Sequence, residues 1–333
     1  MKNILVTGGC GFIGANFIRF LLESSDFDGR IINVDKLTYA GNLENLAGIE
    51  EKHGDRYKFI RADICDYDSM YRIFGEFKID AVCHFAAESH VDRSISGPAD
   101  FVRTNINGSF SLLEAARRRA DKIELFHHVS TDEVYGSLGA EGYFTEKTAY
   151  RPNSPYSASK ASSDHLVRAY AKTYGLPVTI SNCSNNYGPF QFPEKLVPLM
   201  ISNCFNEIPL PVYGNGKNVR DWLYVEDHCR AIWMIMKKGI RGQTYAVGGG
   251  CEKSNIDIVT IICELTDRIS PLIEGGSRKD LITFVEDRPG HDFRYAIDFS
   301  KIKNELGWTP LESFETGIEK TIKWRMGLLN QIP

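Results

Sequence analysis

A chain of 333 residues with 43% hydrophobic and 25% charged residues has a globular composition, long enough for an α/β domain carrying a smaller one. Its formal net charge of −4, without a basic block, argues against a nucleic-acid partner, and no run of about 18 apolar residues is present to span a membrane. Residues 1–8 are too short and too soon broken by glycine for a secretory apolar segment, so a cytoplasmic location is expected.

In chain order, β-branched runs at 3–7, 30–35, 58–62, 81–86 and 125–130 predict strands, while apolar residues at helical spacing predict helices over 12–23 and 101–118. Strand and helix alternate, so the expected fold is an α/β, doubly wound, parallel Rossmann-type sheet with ligands bound in the loops beyond the carboxyl ends of its strands. A strand at 178–182 still belongs to this sheet. After Tyr187 the texture changes: Pro189, Pro193, Pro198, Pro209 and Pro211 crowd together and Gly214 and Gly216 follow. The expected division is 1–187 as the dinucleotide-binding domain, to which later segments can return, and 188–333 as a smaller, loop-rich substrate domain with helices at 225–236 and 256–268. No repeat or low-complexity tract appears.

Eight cysteines lack any C-x-x-C pair and read as buried thiols of a reducing compartment; the eight histidines lack ligand spacing, so no metal is expected. The pair His127 and His128 falls inside a predicted strand and reads as core.

The first strand runs straight into Gly8-Gly9-Cys10-Gly11-Phe12-Ile13-Gly14, which opens the first helix. Glycines there let the backbone approach a pyrophosphate held at a helix N-terminus. Asp35 ends the second strand at the position of a ribose-binding acid, and a carboxylate there accepts from ribose hydroxyls and repels a 2′-phosphate, favouring NAD over NADP. Lys36 beside it is a basic neighbour able to tolerate a phosphate. Asp63 and Ile64, after the third strand, fit either an adenine contact or the N-cap of a helix over 67–74.

Tyr156 and Lys160 stand four residues apart at the start of a helix running to Tyr174, hence on one face. A tyrosine titrates near pH 10; nearby positive charge, from Lys160 and a nicotinamide, favours the phenolate as base for a sugar hydroxyl. With Thr131, the set resembles the Ser/Thr–Tyr–Lys triad of the extended short-chain dehydrogenase/reductase family, which leaves epimerase, decarboxylase, reductase and dehydratase open. Asp132 and Glu133 sit at the carboxyl end of the predicted strand 125–130, and removing water from a 4-keto sugar takes one ionised and one protonated carboxyl.

The segment Thr131-Asp132-Glu133-Val134-Tyr135-Gly136 is similar to that of the dTDP-glucose 4,6-dehydratases within this family, and further similarity runs almost end to end, through residues 86–92, 182–189, 220–222 and 288–291. The resemblance implies conversion of dTDP-glucose to a 4-keto-6-deoxy product and water by internal hydride transfer through NAD, with Asp132 as acid and Glu133 as base. It implies cofactor contacts from Gly8, Gly11, Phe12, Ile13, Gly14, Asp35, Lys36, Leu37, Thr38, Asp63, Ile64, Phe85, Ala86, Ala87, Ser89, Thr104, Asn186, Tyr156 and Lys160. For the nucleotide sugar it implies Ser89, Thr131, Asn185, Glu194, Lys195, Leu196, Pro211, Val212, Tyr213, Arg220, Asn255, Arg288 and His291, with arginine forks suited to a diphosphate. Arg220 and Arg288 also fit simple pairing with Asp221 and Asp287. A homodimer through the helices over 101–118 and 157–174 is implied as well. Other NDP-sugar dehydratases, an epimerase or decarboxylase, and a non-catalytic sensor stand as alternative readings.

Overall fold

A computed structural model describes residues 1–119, 121–273, 275–287 and 291–329. The first half supplies β1 Asn3–Thr7, α1 Phe12–Arg19, β2 Arg30–Asp35, α2 Ile49–His53, β3 Tyr57–Arg61, α3 Tyr67–Glu76, β4 Ala81–His84, α4 Val91–Ser96, α5 Pro98–Phe101, α6 Ser109–Arg117, β5 Leu125–Thr131, α7 Pro155–Tyr174 and β6 Val178–Cys183. The second half supplies β7 Asn185–Tyr187, α8 Leu196–Asn206, β8 Leu210–Tyr213, β9 Val219–Tyr224, α9 Val225–Lys238, β10 Thr244–Val247, β11 Glu252–Ser254, α10 Asn255–Ile269, β12 Ile282–Val285, α11 Ser300–Leu306 and α12 Phe314–Leu329.

Seven strands form one sheet in the order β10-β6-β5-β4-β1-β2-β3. Every neighbouring pair in it is parallel. Side chains alternate across each strand, so Ile4 and Val6 of β1 bury on one face with Phe17 of α1 and Trp233 of α9, whereas Leu5 buries on the other with Ile73 of α3, Leu112 of α6 and Val167 of α7. The strand order reverses between β1 and β4, which opens a crevice beyond their carboxyl ends. The expected Rossmann-type α/β fold is what forms.

The chain past Tyr187 divides its allegiance. Residues of α9 and β10 return to the large sheet, β10 pairing with β6 and α9 packing under α1. The remainder closes its own core around Val197, Ile201, Val212, Ile258, Ile262 and Phe314. It is less loop-like than its proline content implies, because β7, β9 and β11 form a three-stranded sheet and β8 pairs with β12.

Two predicted helices are not uniform. The first widens into π-helical turns over Phe20–Ser24, and the run expected over 101–118 contains π-helical turns over Val102–Gly108 between α5 and α6. At the second site Asn105 binds the Glu88 backbone on both sides, accepting from its N–H at 2.8 Å and donating to its carbonyl at 3.0 Å, and also donates to Ser159 Oγ at 2.8 Å. A polar residue tied to three groups outside its helix favours the locally wider turn. All eight cysteines are free thiols; Cys65 and Cys251 are only partly buried, not fully buried as expected. Among the described residues no helix is long and apolar enough to cross a membrane.

Candidate active site

Beyond β1 the backbone turns through Gly8 at φ +72°. A Cβ on Gly8 would stand 2.6 Å from the Ala86 nitrogen, and one on Gly14 would stand 2.3 Å from the Gly8 carbonyl oxygen. Gly8 is thus required for its left-handed backbone, and Gly14 for the close seat of α1 on the loop. Gly11 caps α1 without a side-chain hydrogen bond, so the helix presents unpaired N–H groups suited to an anion. Asp35 accepts from the Cys10 N–H at 3.0 Å and the Leu37 N–H at 2.7 Å. Burial outweighs these bonds and pushes its carboxyl up from the ordinary value. Lys36 Nζ lies 2.7 Å from Asp63 Oδ2, and Arg103 approaches the same oxygen at 3.3 Å.

The helix α7, which carries Tyr156 and Lys160, is fixed by local chemistry. Pro155 occupies its first turn, and Ser154 and Ser157 form a reciprocal capping box, each hydroxyl accepting from the other residue's N–H. Such a cap is worth about 1 kcal/mol. It sets Tyr156 and Lys160 one turn apart on the buried face, where Lys160 Nζ donates to the Val129 carbonyl of β5 at 2.8 Å. On β5, Thr131 Oγ1 accepts from the Glu133 N–H at 3.3 Å, capping the short 3₁₀ turn Asp132–Tyr135. That turn presents both carboxyl-bearing residues beside Tyr156.

The electrostatics separate these groups. Asp132 is 1% exposed. Its Oδ2 has no hydrogen-bond partner among the described residues. Burial, then the charges of Glu133 and Asp221, push its carboxyl well above the ordinary value, which favours the protonated form. Tyr156 is likewise pushed up, by burial first and then by Glu133 and Cys183, while a hydrogen bond with Thr131 works the other way. The expectation that Lys160 brings the phenol down thus meets a larger opposing effect from burial and the acidic neighbours.

These groups line one cavity of about 330 Å³ that runs from Gly8, Gly11 and Asp35 past Ala86 to Thr131, Asp132, Glu133, Tyr156 and Lys160. Three more buried polar atoms join Asp132 Oδ2: Ser184 Oγ, Asn185 Oδ1 and Gln191 Oε1 belong to residues that line the cavity, and none has a partner among the described residues. Buried polar atoms without partners are rare in folded proteins, so their grouping here marks a site built for a polar ligand.

A family model described as GDP-mannose 4,6 dehydratase matches residues 5–321. A dTDP-glucose 4,6-dehydratase of Neisseria meningitidis serogroup B is 54% identical over 334 residues, covering 97% of this chain and 93% of that protein. The chain belongs to the dTDP-glucose 4,6-dehydratase family. A crystal structure of the Bacillus anthracis dTDP-glucose 4,6-dehydratase in complex with NAD has a TM-score of 0.88 at 44% identity, covering 99% of this chain and 98% of that one. The Thermotoga maritima UDP-glucose 4-epimerase superposes equally well, TM-score 0.88, at only 30% identity, covering 98% of this chain and 100% of that one. The backbone therefore does not distinguish dehydratase from epimerase, and the family assignment rests on the sequence.

Of the cofactor residues expected for this family, Gly8, Gly11, Phe12, Ile13, Gly14, Asp35, Lys36, Thr38, Asp63, Ile64, Phe85, Ala86, Ala87, Ser89, Thr104 and Asn186 line the cavity. Leu37 does not line it; its backbone sits at φ +58° and its N–H serves Asp35. Asn186 is shared, its Oδ1 lying 2.9 Å from His228 Nδ1. Of the substrate residues, Ser89, Thr131, Asn185, Glu194 and Lys195 line the cavity. Glu194 meets Arg93 at 3.1 Å and His90 at 3.5 Å. Lys195 Nζ donates to the Ser89 carbonyl at 3.2 Å.

Leu196 opens α8 and Asn255 opens α10, while Pro211, Val212 and Tyr213 form β8, where Val212 is core and Tyr213 is 42% exposed with His291 against its ring. None of these five residues lines the cavity. Arg220 is buried; it donates to the Val219 carbonyl at 2.8 Å and the Asp292 carbonyl at 2.9 Å and lies over the Tyr295 ring. Asp221, its neighbour, accepts from the N–H groups of Gly249 and Cys251. His291 Nδ1 lies 2.6 Å from Asp287 Oδ1. Arg288 lies outside the described residues.

The sequence reading passed over Tyr39 and Phe192, whose rings meet edge to face at 5.4 Å across the cavity mouth. Ser130 and Ser184, which lie in stretches that the sequence singles out but were given no role, line the cavity too. Tyr39 lies four residues past Asp35, and that nearness to the ribose acid was the one available signal.

Proposed function

We propose that the protein is an NAD-dependent dTDP-glucose 4,6-dehydratase, a hydro-lyase converting dTDP-glucose to dTDP-4-keto-6-deoxyglucose and water. The observation that carries this is Asp132: a carboxyl kept protonated by burial, with an unpartnered oxygen, next to Glu133 and in the same cavity as Tyr156. Oxidising C4 alone needs only the Tyr–Lys pair. An added proton donor beside a second carboxylate fits elimination.

The residues present suit NAD⁺. The loop at Gly8 and Gly14 leaves a cradle that a Cβ would fill, α1 would offer its N–H groups to the pyrophosphate, and Asp35 would hold the adenosine ribose. When bound, NAD⁺ supplies the acceptor for the C4 hydride, its return to C6, and a positive ring that favours the phenolate.

Tyr156 takes the O4 proton, aided by the Lys160 charge and the Thr131 hydroxyl. The resulting ketone acidifies C5–H, which Glu133 removes and gives back to C5 when C6 takes the hydride. Asp132 protonates the departing C6 hydroxyl as water leaves. The second lobe binds the nucleotide diphosphate, with Lys195 and Arg220 supplying positive charge.

The chain acts as a homodimer in the cytoplasm. Supporting the dimer, Val102 and Phe110 are each 49% exposed along the run from α5 to α6, and Ile95 on α4 is 46% exposed. Apolar side chains left in solvent along one helical run suit a partner. Comparing turnover of dTDP-glucose with UDP-glucose tests the substrate: preference for the thymidine nucleotide supports the reading, and equal or greater use of UDP-glucose refutes it.

A further inference from the structure

On the buried face of the helix that carries Tyr156 and Lys160 lies an acidic residue that the reaction as derived does not use. Asp164 is 0% exposed and stands one helical turn past Lys160 on the same buried face of α7. A buried carboxylate is costly unless donors and positive charge meet it. Here Tyr150 Oη donates to Asp164 Oδ2 at 2.7 Å, Ser130 Oγ at 3.0 Å and Asn182 Nδ2 at 3.2 Å. His128 Nε2 lies 3.2 Å from the other oxygen. Two of these donors belong to the catalytic strand ends: Ser130 precedes Thr131, and Asn182 donates to the Thr131 carbonyl as well, at 3.1 Å.

We propose that Asp164 is a positioning residue for the Tyr156–Lys160 pair, a buried counter-charge that keeps Lys160 an ammonium at working pH while its hydrogen bonds fix the Ser130–Thr131 end of β5. This inference rests on the functional reading above, in which Lys160 acts as a cation beside Tyr156.

The surroundings leave Lys160 as the group that responds. Burial pushes the Lys160 ammonium below the usual lysine range, and Asp164, with a lesser contribution from Cys183, opposes that fall. Burial also works against the charge on Asp164, but His128, Lys160 and Tyr150 outweigh it, and the carboxyl stays below the ordinary range. The other titratable groups around the two are fixed across neutral pH. From β4 and β5, His84 is driven well down by burial and His128 down to about 4, so both imidazoles are neutral. Tyr135 and Tyr150 are driven up by burial and stay phenols, and Cys183 on β6 rises to about 12. Arg168 on α7 donates to Tyr150 Oη at 2.6 Å.

The test is the pH profile of C4 oxidation in a single turnover with dTDP-glucose, a step that does not use the Asp132 proton. Asp164→Asn keeps the shape and removes the charge. Its alkaline limb should fall to lower pH by roughly one unit or more, the scale of losing one close opposite charge, with the acid limb unmoved. A rate lowered evenly at every pH, or a limb left in place, overturns the proposal. If Asp164→Asn does not fold, Asp164→Ser removes the same charge with a smaller side chain, and its alkaline limb should fall to lower pH in the same way; an unmoved alkaline limb overturns the proposal. Wild-type turnover in the same series separates the two failures. Absence of C4 oxidation removes the functional reading, whereas normal oxidation with an unresponsive Asp164→Asn limb removes this inference alone.

Discussion

Lys36 Nζ lies 2.7 Å from Asp63 Oδ2, so the basic residue that follows the ribose acid is engaged by a carboxylate from the next strand end. A free lysine there would offer a partner to a 2′-phosphate; an engaged one leaves Asp35 to decide. NAD⁺ should therefore bind more tightly than NADP⁺ by tenfold or more, the effect of about 1.4 kcal/mol, and Asp63→Ala should narrow that ratio by releasing Lys36. Fluorescence titration with both cofactors measures it, and a ratio unchanged in Asp63→Ala would contradict the role given to the pair.

The glycine loop makes a steric prediction. Gly8→Ala adds a methyl 2.6 Å from the Ala86 nitrogen at φ +72°, so the loop must move. The strain, about 1–3 kcal/mol, should lower the melting temperature and abolish the further rise that NAD⁺ gives the wild type. Calorimetry with and without NAD⁺ reads both; a normal NAD⁺-dependent rise in Gly8→Ala would show that the loop does not hold the cofactor.

Asp132 and Asp221 predict how stability varies with pH. Burial, the leading cause for both, raises the Asp132 carboxyl well above its ordinary value and Asp221 to about 6. A raised acid binds its proton in the fold after the unfolded chain has lost it, so its contribution is fully present below about pH 4 and is lost as pH rises toward the folded value. Asp132→Asn removes that loss. It should melt above the wild type at neutral pH, with the gap closing toward pH 4. A gap that is constant with pH would mean that Asp132 is not held protonated.

The same substitution separates the chemical steps. Asp132→Asn should leave C4 oxidation intact while slowing loss of water, by about 10²–10⁴-fold for a lost general acid. Rapid-quench analysis resolves 4-keto-glucose nucleotide from dehydrated product. Equal slowing of both steps would count against the acid role.

Phe110 offers a test of assembly. Its ring is 49% exposed on α6, and Phe110→Glu places a charge on the apolar run proposed to meet a second copy. Sedimentation velocity should show a wild-type dimer and a Phe110→Glu monomer; a monomeric wild type, or a dimeric variant, would contradict the proposed interface.

Much of this was legible in the sequence because the responsible signals are local. Strand runs rich in β-branched residues, the loop from Gly8 to Gly14, and Tyr156 spaced four from Lys160 each follow from short-range rules. What escaped depends on distant partners. The seventh strand, β10, takes its place only through pairing with β6, some 60 residues earlier in the chain. The π-helical turns at 102–108 follow from Asn105 reaching Glu88 and Ser159. Asp164 looks like any polar residue on an amphipathic helix until Tyr150, Ser130 and Asn182 converge on it. The resemblance implies Arg220 as a diphosphate contact, but what holds its side chain, the Val219 and Asp292 carbonyls, depends on how β9 meets the 291–295 segment.

The reaction itself is tested most directly by ¹H NMR of the product formed from dTDP-glucose with NAD⁺ present. Paired action of Asp132 and Glu133 predicts a methyl doublet from C6 and loss of the C6 hydroxymethyl signals. A product that keeps its hydroxymethyl group, whether epimerised or merely oxidised at C4, would contradict the assignment.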